Sequence, residues 1–112
     1  MKKIAVITLL CLAIAQNAFC HQPTEIDMTR LGTQITVTVL HDVLDPKSHY
    51  VKRLGINVNG KKTIEQNFTM QTDDDMQQVI YIIPSLARGD KLEIKAECNQ
   101  FDELMKDIVV EY

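Results

Sequence analysis

Tryptophan is absent from the 112 residues, and the three tyrosines are scattered along the chain. No aromatic platform of the kind that stacks on sugar rings is visible. Cysteine is scarce: Cys11 falls inside an N-terminal apolar stretch, Cys20 at its end, and only Cys98 stands well clear of it. A disulfide framework needs more than that, which leaves at most one Cys20 to Cys98 bond. There is no basic patch and no arginine cluster, so binding to a nucleic-acid backbone is excluded as a main role. Nowhere does a long helical period emerge.

What is present begins with a leader. MKKIAVITLLCLAIAQNAFC carries Lys2 and Lys3, an apolar run from Ile4 to Ala15, and small residues at Ala13, Ala15 and Ala18. That order is a bacterial secretory signal peptide, and the run is too short for a membrane span. Cleavage after Ala15, Ala18 or Cys20 fits the small-residue rule, whereas NAFC lacks the residues expected before a lipidated cysteine. Residues 1–20 are therefore assigned to the signal and residues 21–112 to one exported domain, periplasmic or secreted and without a membrane anchor. Losing Lys2 and Lys3 leaves 10 basic against 15 acidic side chains, a net charge of −5.

The domain reads as short strands parted by turn signals. Ile26 and Met28 alternate before the Leu31-Gly32 break, and QITVTVL (34–40) is rich in β-branched residues. YVKRLGINVNG puts Leu54, Ile56 and Val58 on one face and turns at Asn59-Gly60, a pair that tolerates the positive φ of a tight hairpin. KTIEQNFTM returns, with Ile64, Phe68 and Met70 at even spacing. TDDDM is a charged loop, and QVIYII is a fifth strand that stops at Pro84. KLEIKAEC and KDIVVEY complete the set, with QFDELM between them as a loop or one helical turn. Seven short strands in about 92 residues predict an all-β, immunoglobulin-like two-sheet sandwich.

If successive strands alternate in direction, the chain before strand one and the loops after strands two, four and six share one tip. His21, His41, His49, Asp73 to Asp75 and Cys98 would then converge. Singly, each has a plainer role: a solvated strand end for His41, a turn for His49, a small buried hydrophobe for Cys98, a solvated loop for the aspartates. Together, a thiolate and several imidazoles are a transition-metal set.

HQPTEI at 21, the His41 to His49-Tyr50 loop and Cys98-Asn99 resemble, in this order, the iron domain of superoxide reductase, desulfoferrodoxin and neelaredoxin. The resemblance spans residues 21–112 and implies an immunoglobulin-like sandwich holding mononuclear non-haem iron (Fe2+/Fe3+). His21, matching a His-x-Pro motif, His41, and His49 of the His-Tyr pair would be equatorial ligands, with Cys98 as axial thiolate. Cys98 and His49 would carry the catalysis. Superoxide would be the substrate and an external electron donor the partner; a homo-oligomer is also compatible.

The departures are specific. Where that family has Cys-Asn-x-His-Gly, this chain reads CNQFD, and Phe101 has no electron pair for a metal. The fourth equatorial position would fall to water, to Asp102, or to one of Asp73 to Asp75. Phe19-Cys20 occupies the place of the family's Glu-Lys pair before the first histidine, and no rubredoxin-like CxxC is present. Two rival classes remain. One is an exported copper-binding or metal-carrier module, in which cleavage after Cys20 would let the new α-amine and His21 chelate copper with His41 or His49. The other is a noncatalytic secreted binding sandwich; Arg88-Gly89-Asp90 speaks weakly for it, because it is more simply a turn.

Overall fold

A computed structural model describes residues 23–100 and 102–111. The leader, His21 and Phe101 lie outside the described residues. Seven strands are present among them: β1 (Glu25–Leu31), β2 (Gln34–Leu40), β3 (Val51–Val58), β4 (Lys61–Asn67), β5 (Met76–Ile82), β6 (Lys91–Cys98) and β7 (Glu103–Val109). They form two antiparallel sheets, β1-β2-β5 and β4-β3-β6-β7. The all-β expectation holds as a three-on-four β-sandwich.

Period-two patterning builds the interior. On β2, Ile35, Val37 and Val39 are buried; on β6, Leu92, Ile94 and Ala96 face them, joined by Ile26, Leu54 and Ile56. Each fully buried valine, leucine or isoleucine among them contributes about 1.5–3 kcal/mol. The Asn59-Gly60 hairpin forms as its sequence predicts, with φ of 51° and 82°. Asn59 also accepts from Lys91 N–H and donates to Asp90, tying the hairpin to the start of β6. Asp90 further accepts from Ala87 N–H, so the Arg-Gly-Asp triplet is built into a turn.

Two segments depart from the sequence-based expectation. β4 ends at Asn67 instead of continuing through Met70. Phe68 N–H instead bonds to Lys52 C=O, beside a β-bulge at which β3 advances from Val51 to Arg53 while β6 moves only from Cys98 to Glu97. The bulge lets Val51 and Leu54, three residues apart, both face the core. At the same end of the sheet, Glu103 to Met105 belong to β7 and are neither loop nor helical turn. The reversal is short because Cys98 N–H bonds Asp102 C=O at 2.6 Å, and pairing resumes at Glu97 and Glu103.

The registers fix which ends coincide. Glu25 pairs with Leu40 and Leu40 with Met76 in one sheet; Val51 pairs with Cys98 and Arg53 with Asn67 in the other. The ends of β2, β4 and β6 therefore share a tip with the starts of β1, β3, β5 and β7.

Candidate metal centre

The strand alternation that builds the core also delivers two of the side chains at this tip. Ile35, Val37 and Val39 point inward, and the next position in the series is His41, with 0% of its surface exposed. On the opposing sheet, Leu92, Ile94 and Ala96 are followed by Cys98, 1% exposed. The sandwich interior thus runs out of hydrocarbon at one end and closes on an imidazole and a thiol.

His49 reaches them through a loop with its own internal supports. Asp45 C=O accepts from both Ser48 N–H (3.1 Å) and His49 N–H (2.9 Å), while its side chain accepts from Lys47 N–H. Pro46 presets the φ that such a turn needs. Asn99 holds the loop from the other side: Oδ1 accepts from Tyr50 N–H, Nδ2 donates to Ser48 C=O, and Asn99 N–H donates to Tyr50 C=O, each at 3.0 Å. The two peptide groups flanking His49 are thereby fixed to the residue after Cys98.

The half-buried His49 comes to rest with Nε2 3.1 Å from Cys98 Sγ. Its ring meets that of His41 edge to face, centroids 4.7 Å apart and planes at 89°. One ligand atom from each of His41, His49 and Cys98 lies within 4.8 Å of the other two. Gln100 N–H also donates to the sulfur, at 3.4 Å. A pocket of about 240 Å³ lined by Lys52, Arg53, Glu97, Cys98, Asp102 and Glu103 lies beside the end of β6.

The expected site residues divide as follows. His41, His49 and Cys98 are brought together. His21 lies outside the described residues, although Pro23 is fully buried and Thr24 N–H bonds Leu40 C=O, next to His41. Asp73, Asp74 and Asp75 form an exposed group of their own, distinct from the histidine and cysteine cluster. Asp73 Oδ1 accepts from Asp75 N–H and Met76 N–H, and the Asp74 charge next door holds the Asp75 carboxyl above its ordinary value. This loop meets the site through its backbone: His41 N–H bonds Asp75 C=O and Val43 N–H bonds Asp74 C=O.

Two residues at the site were not singled out from sequence. Asn99 enters the sequence pattern only as the second residue of the Cys98-Asn99 motif. Gln71, 1% exposed, belongs to no sequence motif, yet its side chain bonds His41 Nδ1 at 2.9 Å and His41 C=O at 2.8 Å.

Two imidazoles and a sulfur converging in a largely water-excluded corner fit a late or middle first-row transition metal. Hard, oxygen-seeking cations would find no carboxylate in this cluster. No protein-family model matches the chain, and no curated protein matches it either. What the structure supports is a compact β-domain in which His41, His49 and Cys98 form a cluster able to hold a metal ion.

Proposed function

We propose that the protein is an exported mononuclear iron protein of the superoxide reductase kind, with His41, His49 and Cys98, joined by His21, as the metal ligands. The observation that carries this is the meeting of His41, His49 and Cys98 at one end of the sandwich. Its support is the order of ligand-type residues, which follows the resemblance in four places along the chain. The strand order β1-β2-β5 against β4-β3-β6-β7 supports an immunoglobulin-like topology. Buried Pro23, two residues beyond His21, supports placing that histidine at the same tip. The leader-like residues 1–20 support export to the periplasm or beyond.

Bound iron would supply the one-electron couple that reduces superoxide to hydrogen peroxide, with an external donor restoring the ferrous state. Within the chain, neutral imidazoles leave the charge of a cation largely uncancelled, which favours an anionic small substrate. The Cys98 sulfur would contribute electron density to a bound metal, and Gln100 N–H and the His49 ring hold it in place. Phe101 leaves the site one imidazole short of the family pattern.

Copper is the second reading, favoured by one specific observation: the described cluster is two histidines and one cysteine, the donor set of cysteine-ligated copper sites. Elemental analysis of exported protein, loaded separately with Fe(II) and copper and compared with Cys98→Ser, separates the cases. One equivalent of iron with a visible thiolate-to-metal band, lost in Cys98→Ser, is the expected result. Copper uptake with iron refused would favour the carrier. Full loading of either metal without the thiol would remove Cys98 from the ligand set.

A further inference from the structure

We infer that Gln71 is a positioning residue whose carboxamide fixes the tautomer of His41, making Nε2 the atom that this histidine presents beside His49 and Cys98. The consequence for metal binding rests on the proposed function; the tautomer itself does not.

The orientation of the amide is forced by its surroundings. One end of the Gln71 side chain sits 2.8 Å from His41 C=O and 3.0 Å from Asp73 C=O. Carbonyl oxygens only accept, so this end must be the NH2 group. The other end sits 3.2 Å from Val51 N–H, which only donates, so it must be the oxygen. A flipped amide would set an oxygen against two oxygens and an NH2 against an N–H. With Oε1 thus identified, the His41 Nδ1 that lies 2.9 Å from it must carry a proton. In the neutral ring the lone pair then belongs to Nε2.

The same geometry explains why a glutamine can be this deeply placed. Both polar ends of Gln71 are satisfied, which removes the penalty for burying an amide. Its backbone N–H bonds Pro46 C=O at 3.0 Å, so Gln71 joins the 41–49 loop, the start of β3 and the acidic loop. An outer partner that accepts the second N–H of a ligating imidazole both orients the ring and raises its basicity.

Two substitutions separate positioning from mere packing. Gln71→Leu removes every side-chain hydrogen bond; Gln71→Glu loses the amide NH2 but retains an oxygen for Nδ1–H. Long-range nitrogen–proton correlation spectra of the metal-free mature chain should show His41 as the Nδ1–H tautomer in the wild type and in Gln71→Glu. In Gln71→Leu the proton should redistribute toward Nε2. Fe(II) affinity, measured by chelator competition, should fall roughly 10- to 100-fold in Gln71→Leu and by less in Gln71→Glu. An Nε2–H tautomer in the wild type overturns the inference even if neither variant folds. Equal losses of affinity in both variants, with an unchanged tautomer, also overturn it, because packing alone would then explain them. A wild-type chain with the Nδ1–H tautomer that binds no metal upholds the role of Gln71 and removes the metal reading instead.

Discussion

His49 Nε2 and Cys98 Sγ stand 3.1 Å apart although 49 residues separate them in the chain. Neither is carried there by the same element. Cys98 is the last inward position of β6, whereas His49 hangs from a loop that Asp45 and Asn99 hold at both ends. Because Asn99 directly follows Cys98, the loop that carries His49 is tied to the end of the strand that carries Cys98.

His49→Ala tests that contact without disturbing the core. His49 is only half-buried, so the stability loss should be about 1 kcal/mol. Metal affinity should drop by more than the roughly 10- to 100-fold that losing an outer partner costs. Denaturant midpoints and metal titrations on one preparation check both halves. A large stability loss with unchanged affinity would make His49 a structural residue.

The pH dependence of stability should carry two opposing signatures. Asn59 and Ala87 N–H hold the Asp90 carboxyl below its ordinary value, and Lys106 does the same for Glu25. For both, the unfolded chain binds protons more readily, so their stabilisation is present above the ordinary carboxylate range, near pH 4, and is lost as pH falls through the lower folded values. Asp75 behaves oppositely: repulsion from Asp74 raises its value, and the protein gains as that group protonates. Urea midpoints across the acid range should show a flatter acid limb in Asp90→Asn and a higher neutral-pH midpoint in Asp75→Asn. A lower midpoint in Asp75→Asn would contradict the repulsion.

Much of the architecture was legible in the sequence, and the gaps have physical causes. β2 and β6 were read to the residue because alternating aliphatic side chains face a continuous core. The start of β7 was hidden because Lys106 occupies the core-facing register between Leu104 and Ile108, where an apolar residue is expected; it reaches across to Glu25 at 2.7 Å. The end of β4 was misplaced because Phe68 and Met70 continue the alternation after the ladder has stopped. At the site, His41 and Cys98 continue visible period-two series. Gln71 follows no pattern: its contacts to His41 and Val51 span 30 and 20 residues, and only the folded chain brings them together.

The mature N-terminus decides how His21 can act. Intact mass of the exported chain should show cleavage no later than Cys20, with His21 retained. A chain beginning at His21 places an α-amine beside its imidazole, which favours copper chelation. Residues before His21 leave only its side chain, the arrangement that suits iron. Cleavage beyond His21 would eliminate it as a ligand and reduce the set to His41, His49 and Cys98.

Phe101→His is the most discriminating single change. The Cys98-Asn99 motif aligns residue 101 with the position where the resembled family carries its last histidine, and here that position offers no donor. If residue 101 faces the remaining equatorial corner, adding an imidazole should raise Fe(II) affinity and shift the thiolate-to-iron band, because the electron density at the metal changes. Superoxide-dependent oxidation of the reduced protein should become faster or more durable in the variant. A copper carrier would gain no superoxide reduction from the same change, and a sandwich without a metal role would gain no iron site. The tight turn that joins Cys98 N–H to Asp102 C=O is a backbone contact, so the replacement leaves its hydrogen bond available. Full iron loading with identical spectra in both proteins would therefore place residue 101 away from the metal and detach this motif from the family pattern.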